Sequence, residues 1–520
     1  MAGRDEDPFK DPSLDTQHPA PQSPTHVAES RTWDGANDVP DTLAVGRNAS
    51  LTLGTDSLIV LDEALLESRG PALCCGVNVI PGQKKTTRSI PFYNILWAEL
   101  KEEGDVIIQY AHAVSKKEVR PAIISYELDK TQTPHAHAWV EKLVSRAYGA
   151  SLRRKRIKVL LNPFGGQGKA RKMYYKSIAP ILEGAQCELD FEETKYNGHA
   201  IEIGQNLDID AYDVVACCSG DGVPHEVWNG LAKKADAARA LAKVAITQMP
   251  CGSGNAASLN FNGTDSPSLA ALAVVKGLRT PLDLTSITQG DQRTLSFCSQ
   301  SVGIVAEVDL GTEDLRWMGS ARFTYGFFVR LIGQIVYPAD IAVKIEHDNK
   351  VDVCKVYRDE ASKPPPTSDS RPLPAPGTGL PELKYGTSMD PLPEGWELIP
   401  HDKLGNFYAG NLAYMSPDAN FFPASLPNDG CLDLIRIDGN IPRLTAINTM
   451  FSIEKGTFFD LPHVRYDKVS AYRIVPKNQT EGYISIDGER VPFEGFQAEV
   501  HRGLGTVLSK SGHLYEAKGV

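Results

Sequence analysis

The sequence predicts an α/β domain on a parallel sheet, followed by a mostly antiparallel β domain, a β-sandwich, and preceded by a small β-rich module. Three observations predict this. Between residues 157 and 277, short apolar runs alternate with runs at helical spacing, the pattern of βαβ units. Glycine-rich turns follow three of those apolar runs. After residue 283 the helical runs thin out and strand-like runs take over.

Taken in order, residues 1–47 are acidic and proline-rich and are expected to form a disordered tail. Residues 1–40 hold eight acids and three bases, so they supply −5 of the net charge of −11. The body of the 520-residue chain is therefore close to neutral. Residues 48–148 form the small module. Ser57–Leu61, Ser89–Tyr93 and Asp105–Gln109 read as strands. His135–Tyr148 reads as a helix, with Ala138, Val140, Leu143, Val144 and Ala147 near helical spacing.

The α/β domain spans 153–283. Its strands are Ile157–Leu161, Cys187–Glu193, Asp213–Cys218 and Val244–Met249. Its helices are Lys169–Leu182, His199–Leu207, Val223–Lys233 and Ser268–Gly277. The β-rich domain spans 284–512, with strand-like runs such as Ala342–Ile345, Leu432–Arg436 and Tyr483–Ile486. Nine prolines between 364 and 393 mark residues 359–395 as a disordered insertion.

Bulk features exclude several classes. An acidic chain is a poor nucleic-acid binder, because phosphate neutralisation needs a basic surface. Nine cysteines without a CxxC pair argue against a zinc module and a disulfide framework. Met1–Asp15 lacks the apolar core of a signal peptide. Phe323–Val343 is broken by Arg330, Gln334, Pro338 and Asp340, so it does not read as a membrane span. The expected location is the cytoplasm, with at most peripheral contact to intracellular membranes. The basic run Arg153–Lys158 is either a solvated linker or a contact for anionic headgroups. Cys74-Cys75 is either a pair of buried thiols or an acylation site.

The three glycine turns carry the chemistry. They are Leu161-Asn-Pro-Phe-Gly-Gly-Gln-Gly-Lys169, Ser219-Gly-Asp-Gly-Val-Pro-His-Glu226 and Pro250-Cys-Gly-Ser-Gly-Asn255. Glycines let backbone N–H groups approach phosphate oxygens, and ligands of open α/β sheets bind at the carboxyl ends of strands. A P-loop would need Gly at 163 and Ser or Thr at 170, where Pro163 and Ala170 stand. Gly252-Ser-Gly254 with Ala257 has relaxed dinucleotide spacing, but it is not on the first turn and lacks the later acid. Asp221, between Gly220 and Gly222, is suited to act as a general base toward a hydroxyl or to organise Mg²⁺.

Together these residues resemble the diacylglycerol-kinase-type catalytic domain of lipid kinases, in its sphingosine kinase branch, over about residues 155–510. Asn162–Lys169, Ser219–Gly222 with Glu226 and Asn229-Gly230, and Pro250–Ala256 are similar to the three nucleotide loops. Gly303–Phe323 is similar to the lid region, and Ile484–Glu489 to the late Asp-Gly-Glu segment. Residues 48–147 resemble the N-terminal extension of fungal and plant long-chain base kinases. Many family members carry a basic residue where Phe164 stands.

The resemblance implies an α/β nucleotide-binding domain, a β-rich lipid-binding domain, ATP as donor with Mg²⁺, and a sphingoid base as acceptor. Asp221 would deprotonate its primary hydroxyl. The nucleotide would meet Asn162, Pro163, Phe164, Gly165, Gly166, Gly168, Thr194, Ser219, Gly220, Gly252, Ser253, Gly254, Arg316, Arg322, Asp487, Gly488 and Glu489. The lipid head would meet Ser219, Gly222, Glu226 and Asp309. Asp487 would support the metal through ATP-Mg, and Phe323, Tyr325, Phe327, Phe328, Leu331 and Ile332 are candidate walls for the lipid chain. A membrane surface and a second copy of the chain are the remaining expected partners. The competing readings are a diacylglycerol or ceramide kinase, and a catalytically silent nucleotide-binding regulator.

Overall fold

A computed structural model describes residues 40–46, 48–62, 87–102, 104–128, 133–318, 321–333, 335–365 and 371–520. The expected tail lies largely outside the described residues, as do Cys74 and Cys75. The chain divides into two compact units: residues 1–149 with 180–186, and residues 150–179 with 187–520.

In the first unit, Thr42–Val45, Ala49–Leu53, Ser57–Asp62 and Thr87–Pro91 form a four-stranded antiparallel sheet. Ile95–Leu100, Asp105–Ser115 and Glu118–Glu127 form a second, three-stranded one. The helix Thr133–Tyr148 follows. Strand alternation is the cause: Leu51, Leu53, Leu58 and Val60 turn inward, while Ile59 and Leu61 stay exposed. Trp139, Leu143 and Val144 bury one face of the helix. Thr42–Val45 lies inside the span expected to be tail, so the module begins earlier than the composition suggested.

The second unit is organised by one 15-stranded sheet. Its parallel part runs Ala245–Pro250, Val214–Ser219, Arg156–Leu161, Glu188–Glu193. Val214–Ser219 and Ala245–Pro250 are buried at every position, which explains their continuous apolar sequence. Register aligns Leu161 with Cys218 and with Glu193, and Ser219 with Pro250. The loops that follow therefore leave from one edge.

The sequence suggested two successive domains, but the strand Phe496–Ser509 joins them. It pairs antiparallel with Leu278–Gln289 and Arg465–Pro476, and parallel with Ala245–Pro250 through Ile246 and Val507. The antiparallel half is thus continuous with the parallel sheet rather than a separate sandwich. Helix Gly222–Ala232 packs against His199–Asn206 where Gly230 meets Gly204; a Cβ at either residue would run into the other helix's backbone.

Two expectations change. The stretch expected to be a disordered insertion begins inside a helix, Lys350–Ala361, and its second half is a strap. Lys384 N and Tyr385 N donate to the Glu499 carboxylate at 2.9 Å each, and Arg473 holds the carbonyls of Thr387 and Asp390 at 2.8 Å each. Proline removes donors but leaves carbonyls free to accept, so a proline-rich segment can be tied down by neighbouring side chains. In the basic run, Lys155 is buried and donates to Ser151 Oγ, Leu152 O and Val275 O. Burial pushes its pKa down to about 8. Arg156 pairs with Asp213, and Lys158 with Asp190 and Glu192. These three cations serve the fold rather than a lipid surface.

Candidate functional site

The three glycine loops interlock at the carboxyl edge of the parallel strands. A Cβ at Gly252 would overlap the Cα and N of Gly220, one at Gly220 would lie 3.0 Å from Gly254 O, and one at Gly165 would lie 3.4 Å from Cys251 O. Backbone therefore lies against backbone, as a phosphate cradle requires. Asn162 Oδ1 accepts from Phe164 N at 3.0 Å and shapes the first turn. Thr194, buried at the end of its strand, donates through N to Leu161 O at 2.9 Å. Phe164 is fully outward. Ser219 Oγ donates to Gly220 O at 2.7 Å.

Asp221 links the second and third loops. Its two oxygens accept from Ala256 N and Ala257 N, both at 2.9 Å, at the start of helix Ala256–Asn262. Burial pushes its carboxyl above the ordinary value, and these two N–H groups oppose that shift. Gln248 adds a third donor, and a carboxylate has about four acceptor sites, so one remains for a substrate proton.

Glu226 is not turned toward a ligand. Its oxygens accept from Gly198 N at 3.1 Å and Ala200 N at 3.0 Å, which caps helix His199–Asn206. The expected contact with the lipid head gives way to that cap.

Asp487 is likewise spent. It stands with Gly488 in a two-residue hairpin turn between Ile486 and Glu489, with φ of 52° and 84°, the left-handed pair that Asp-Gly favours. Its carboxylate accepts from Ser296 Oγ, Phe297 N, Cys298 N and Ser299 N at 2.6–2.9 Å and meets His225 Nδ1 at 2.8 Å. Burial alone would raise its pKa, but His225, the Ser296 hydroxyl and the Phe297 N–H hold it below the usual value. Burial would lower His225, but Asp487, with Glu489 and Glu226 nearby, raises it instead. The buried pair fixes the hairpin, and the side chain of Asp487 has no exposed surface for a metal. Among the described residues, no group of three or more acidic, His or Cys side chains is arranged to hold a metal.

What the hairpin delivers is Glu489. It is exposed, and its Oε1 lies 3.4 Å from where a Cβ on Gly222 would stand. Asp309, on helix Ile304–Leu310, flanks the same turn: its Oδ2 is 3.9 Å from a Cβ built on Gly488 and accepts from Ser485 Oγ at 3.0 Å. Arg322 Nη1 donates to Asp309 O and to Thr312 Oγ1, with Nη2 3.7 Å from Asp309 Oδ1. Arg322 thus orients Asp309 instead of standing open to phosphate. The side chain of Arg316 lies outside the described residues.

Beyond Asp309 the same helix leads to an apolar cavity with about 750 Å³ of empty space, open solvent included. Val305, Phe327, Phe421, Met450, Ile453 and Phe458 are among its walls. Of the expected walls whose side chains are described, Phe327 lines it and Tyr325 and Phe328 are exposed; the side chains of Phe323, Leu331 and Ile332 lie outside the described residues. The strand Leu404–Gly410 and helix Arg443–Glu454 supply walls that no motif marked. The missed residues His225 and Ser485 carried a signal only by adjacency to the Asp-Gly motifs.

Residues 156–287 match the diacylglycerol kinase catalytic domain, and residues 41–149 match a domain of unknown function. The sphingoid long chain base kinase 4 of Schizosaccharomyces pombe is 30% identical over 87% of this chain and 94% of its own length. The chain belongs to the sphingoid long chain base kinases. The sphingoid long chain base kinase 5 of Saccharomyces cerevisiae is 35% identical over 72% of this chain, and the chain spans 62% of that relative's length. Sphingosine kinase 1 of Rattus norvegicus is 32% identical over 66% of this chain and 88% of its own. A diacylglycerol kinase crystal structure from Bacillus anthracis str. Sterne aligns with a TM-score of 0.45 at 17% identity, over 68% of this chain and 97% of that one.

Proposed function

We propose that the protein is a lipid kinase that transfers the γ-phosphoryl group of ATP to the primary hydroxyl of a sphingoid base, giving the 1-phosphate. The observation that carries this reading is the path from the glycine loops, past Asp221 and Asp309, into the apolar cavity. A phosphate cradle and a lipid pocket meet at two carboxylates. Backbone N–H groups of the loops hold the phosphates, which is most of what phosphoryl transfer asks of a protein. Asp221, raised by burial, accepts the hydroxyl proton as the oxygen attacks. Asp309 meets the base's cationic amine, held in place by Ser485 and Arg322.

Mg²⁺ would accompany ATP, and the residues fit an ion held mainly by phosphates with one protein carboxylate. Glu489 is the exposed candidate, and Asp487 supports it through the hairpin. When bound, the ion neutralises phosphate charge. The expected membrane contact draws support from Tyr325, Phe328 and Val329, exposed on helix Ala321–Gly333, whose Phe327 lines the cavity. Among the described residues, no helix is long and apolar enough to cross a membrane.

A lipid panel with labelled ATP tests the reading. Transfer to sphinganine or sphingosine, and not to diacylglycerol or ceramide, is expected. Transfer only to the latter two would overturn the substrate assignment, and an ATP-induced rise in melting temperature without any turnover would favour a silent regulator.

A further inference from the structure

The cavity is apolar, yet it holds an amide donor. Asn406 sits on strand Leu404–Gly410 opposite Gly303 and is 5% exposed. Its Oδ1 accepts from Val305 N at 3.3 Å. An N–H can be met only by the carbonyl oxygen of the amide, so this bond fixes which end is Nδ2. Among the described residues nothing accepts from Nδ2, and Asn406 and Val305 both line the cavity. Of the other polar side chains on the lining, Asp438 is an exposed carboxylate that can only accept, and the rest are occupied or enclosed. Arg330 pairs with Glu307 at 3.0 Å, Thr449 Oγ1 meets Thr445 O and His463 Nε2, and the Tyr337 hydroxyl is shut inside protein.

Position gives the donor a meaning. Val305 and Asp309 are four apart on one helix, so they share a face and are separated by about one turn, ~6 Å of rise. A sphingoid chain with its amine at Asp309 passes Val305, and so Asn406, within its next few carbons. A hydroxyl on the carbon beside the amine-bearing one stays within reach of Asp309 and Ser485. Of the hydroxyls a sphingoid base can carry, one a carbon further along the chain lies nearest to Asn406.

We propose that Asn406 Nδ2 donates to the 4-hydroxyl of a sphingoid base and makes 4-hydroxylated bases the preferred substrates. This rests on the sphingoid-base reading above. The physical reason is asymmetry. A 4-hydroxylated base pairs the amide, whereas a methylene at that carbon displaces water from Nδ2 and leaves the donor unpaired. Sites built to bond a hydroxyl reject the analogue that lacks it.

The test compares kcat/KM for phytosphingosine and sphinganine of equal chain length, using the full chain, ATP and three forms: wild type, Asn406→Leu and Asn406→Asp. The wild type should favour phytosphingosine by about tenfold or more. Asn406→Leu should bring that ratio to one or below. Asn406→Asp keeps an oxygen for Val305 N but loses the donor, so the ratio should fall there too, even if Asn406→Leu fails to fold. A wild-type ratio near one overturns the proposal. So do variants that lower both substrates equally, which would mark a purely structural amide. If the wild type phosphorylates neither base but does phosphorylate diacylglycerol, it is the underlying reading that fails.

Discussion

The two ends of the site are made of different material. At the phosphate end, Gly252 lies against Gly220 with no room for a side chain, and Gly165 meets the backbone of Cys251. At the lipid end, Phe327, Phe421, Met450 and Phe458 come from four separated segments and enclose space. The first end depends on backbone approach, so few residue types can serve. The second depends on volume and apolarity, which many combinations supply. The carboxylates between them divide in the same way: Asp487 and Glu226 are consumed by protein donors, while Asp221 and Glu489 keep surface toward the ligand side.

The sharpest way to break this contrast is Asp487→Ala. It leaves buried His225 and three backbone N–H groups without their acceptor. A loss of about 3–5 kcal/mol in unfolding free energy is expected, read from denaturant midpoints. A loss below about 1 kcal/mol would mean the hairpin is held by something else. Asp221→Asn comes next. It should lower kcat by about 10²–10⁴-fold while ATP still raises the melting temperature. Retained turnover would remove Asp221 from the proton transfer.

Met450→Ala tests the other end. Its removal should lower kcat/KM for a long-chain base by about tenfold and spare a short-chain base, because only the long chain reaches the apolar wall. An equal loss on both would place Met450 outside the chain's path. The smallest effect concerns pH. His225 is raised above its ordinary value, so its pairing contributes fully below about pH 6.5, the unfolded value, and fades as pH rises through the folded one. Asp487 is lowered, so its share is present above its ordinary 3.8 and is lost as pH falls through its folded value. The melting-temperature gap between wild type and His225→Asn should therefore be widest near pH 5–6.5 and narrow as pH rises further. A gap that grows with pH would contradict a charged His225.

Much of the α/β half was legible in the sequence. The expected strand Ile157–Leu161 is Arg156–Leu161, and the expected helix Val223–Lys233 is Gly222–Ala232. Local period and glycine punctuation carry that information. Less legible were roles that depend on what lies opposite. Lys155 sits in a run of charge yet is buried, because Ser151, Leu152 and Val275 supply its acceptors. The segment 371–398 has the composition of a loose linker, yet Glu499, Arg473 and Gln497 tie it down from strands far along the chain.

By itself the sequence determined the parallel sheet, the three loops at its edge and the phosphate chemistry they suit, because backbone geometry is written locally in glycine and in the period of apolar residues. Only the tertiary structure decided which carboxylates remain available, that Phe496–Ser509 binds both halves into one sheet, and which side chains face the cavity. A carboxylate looks the same in sequence whether it faces a ligand or caps a helix. Its role is set by the donors that folding brings within about 3 Å of it.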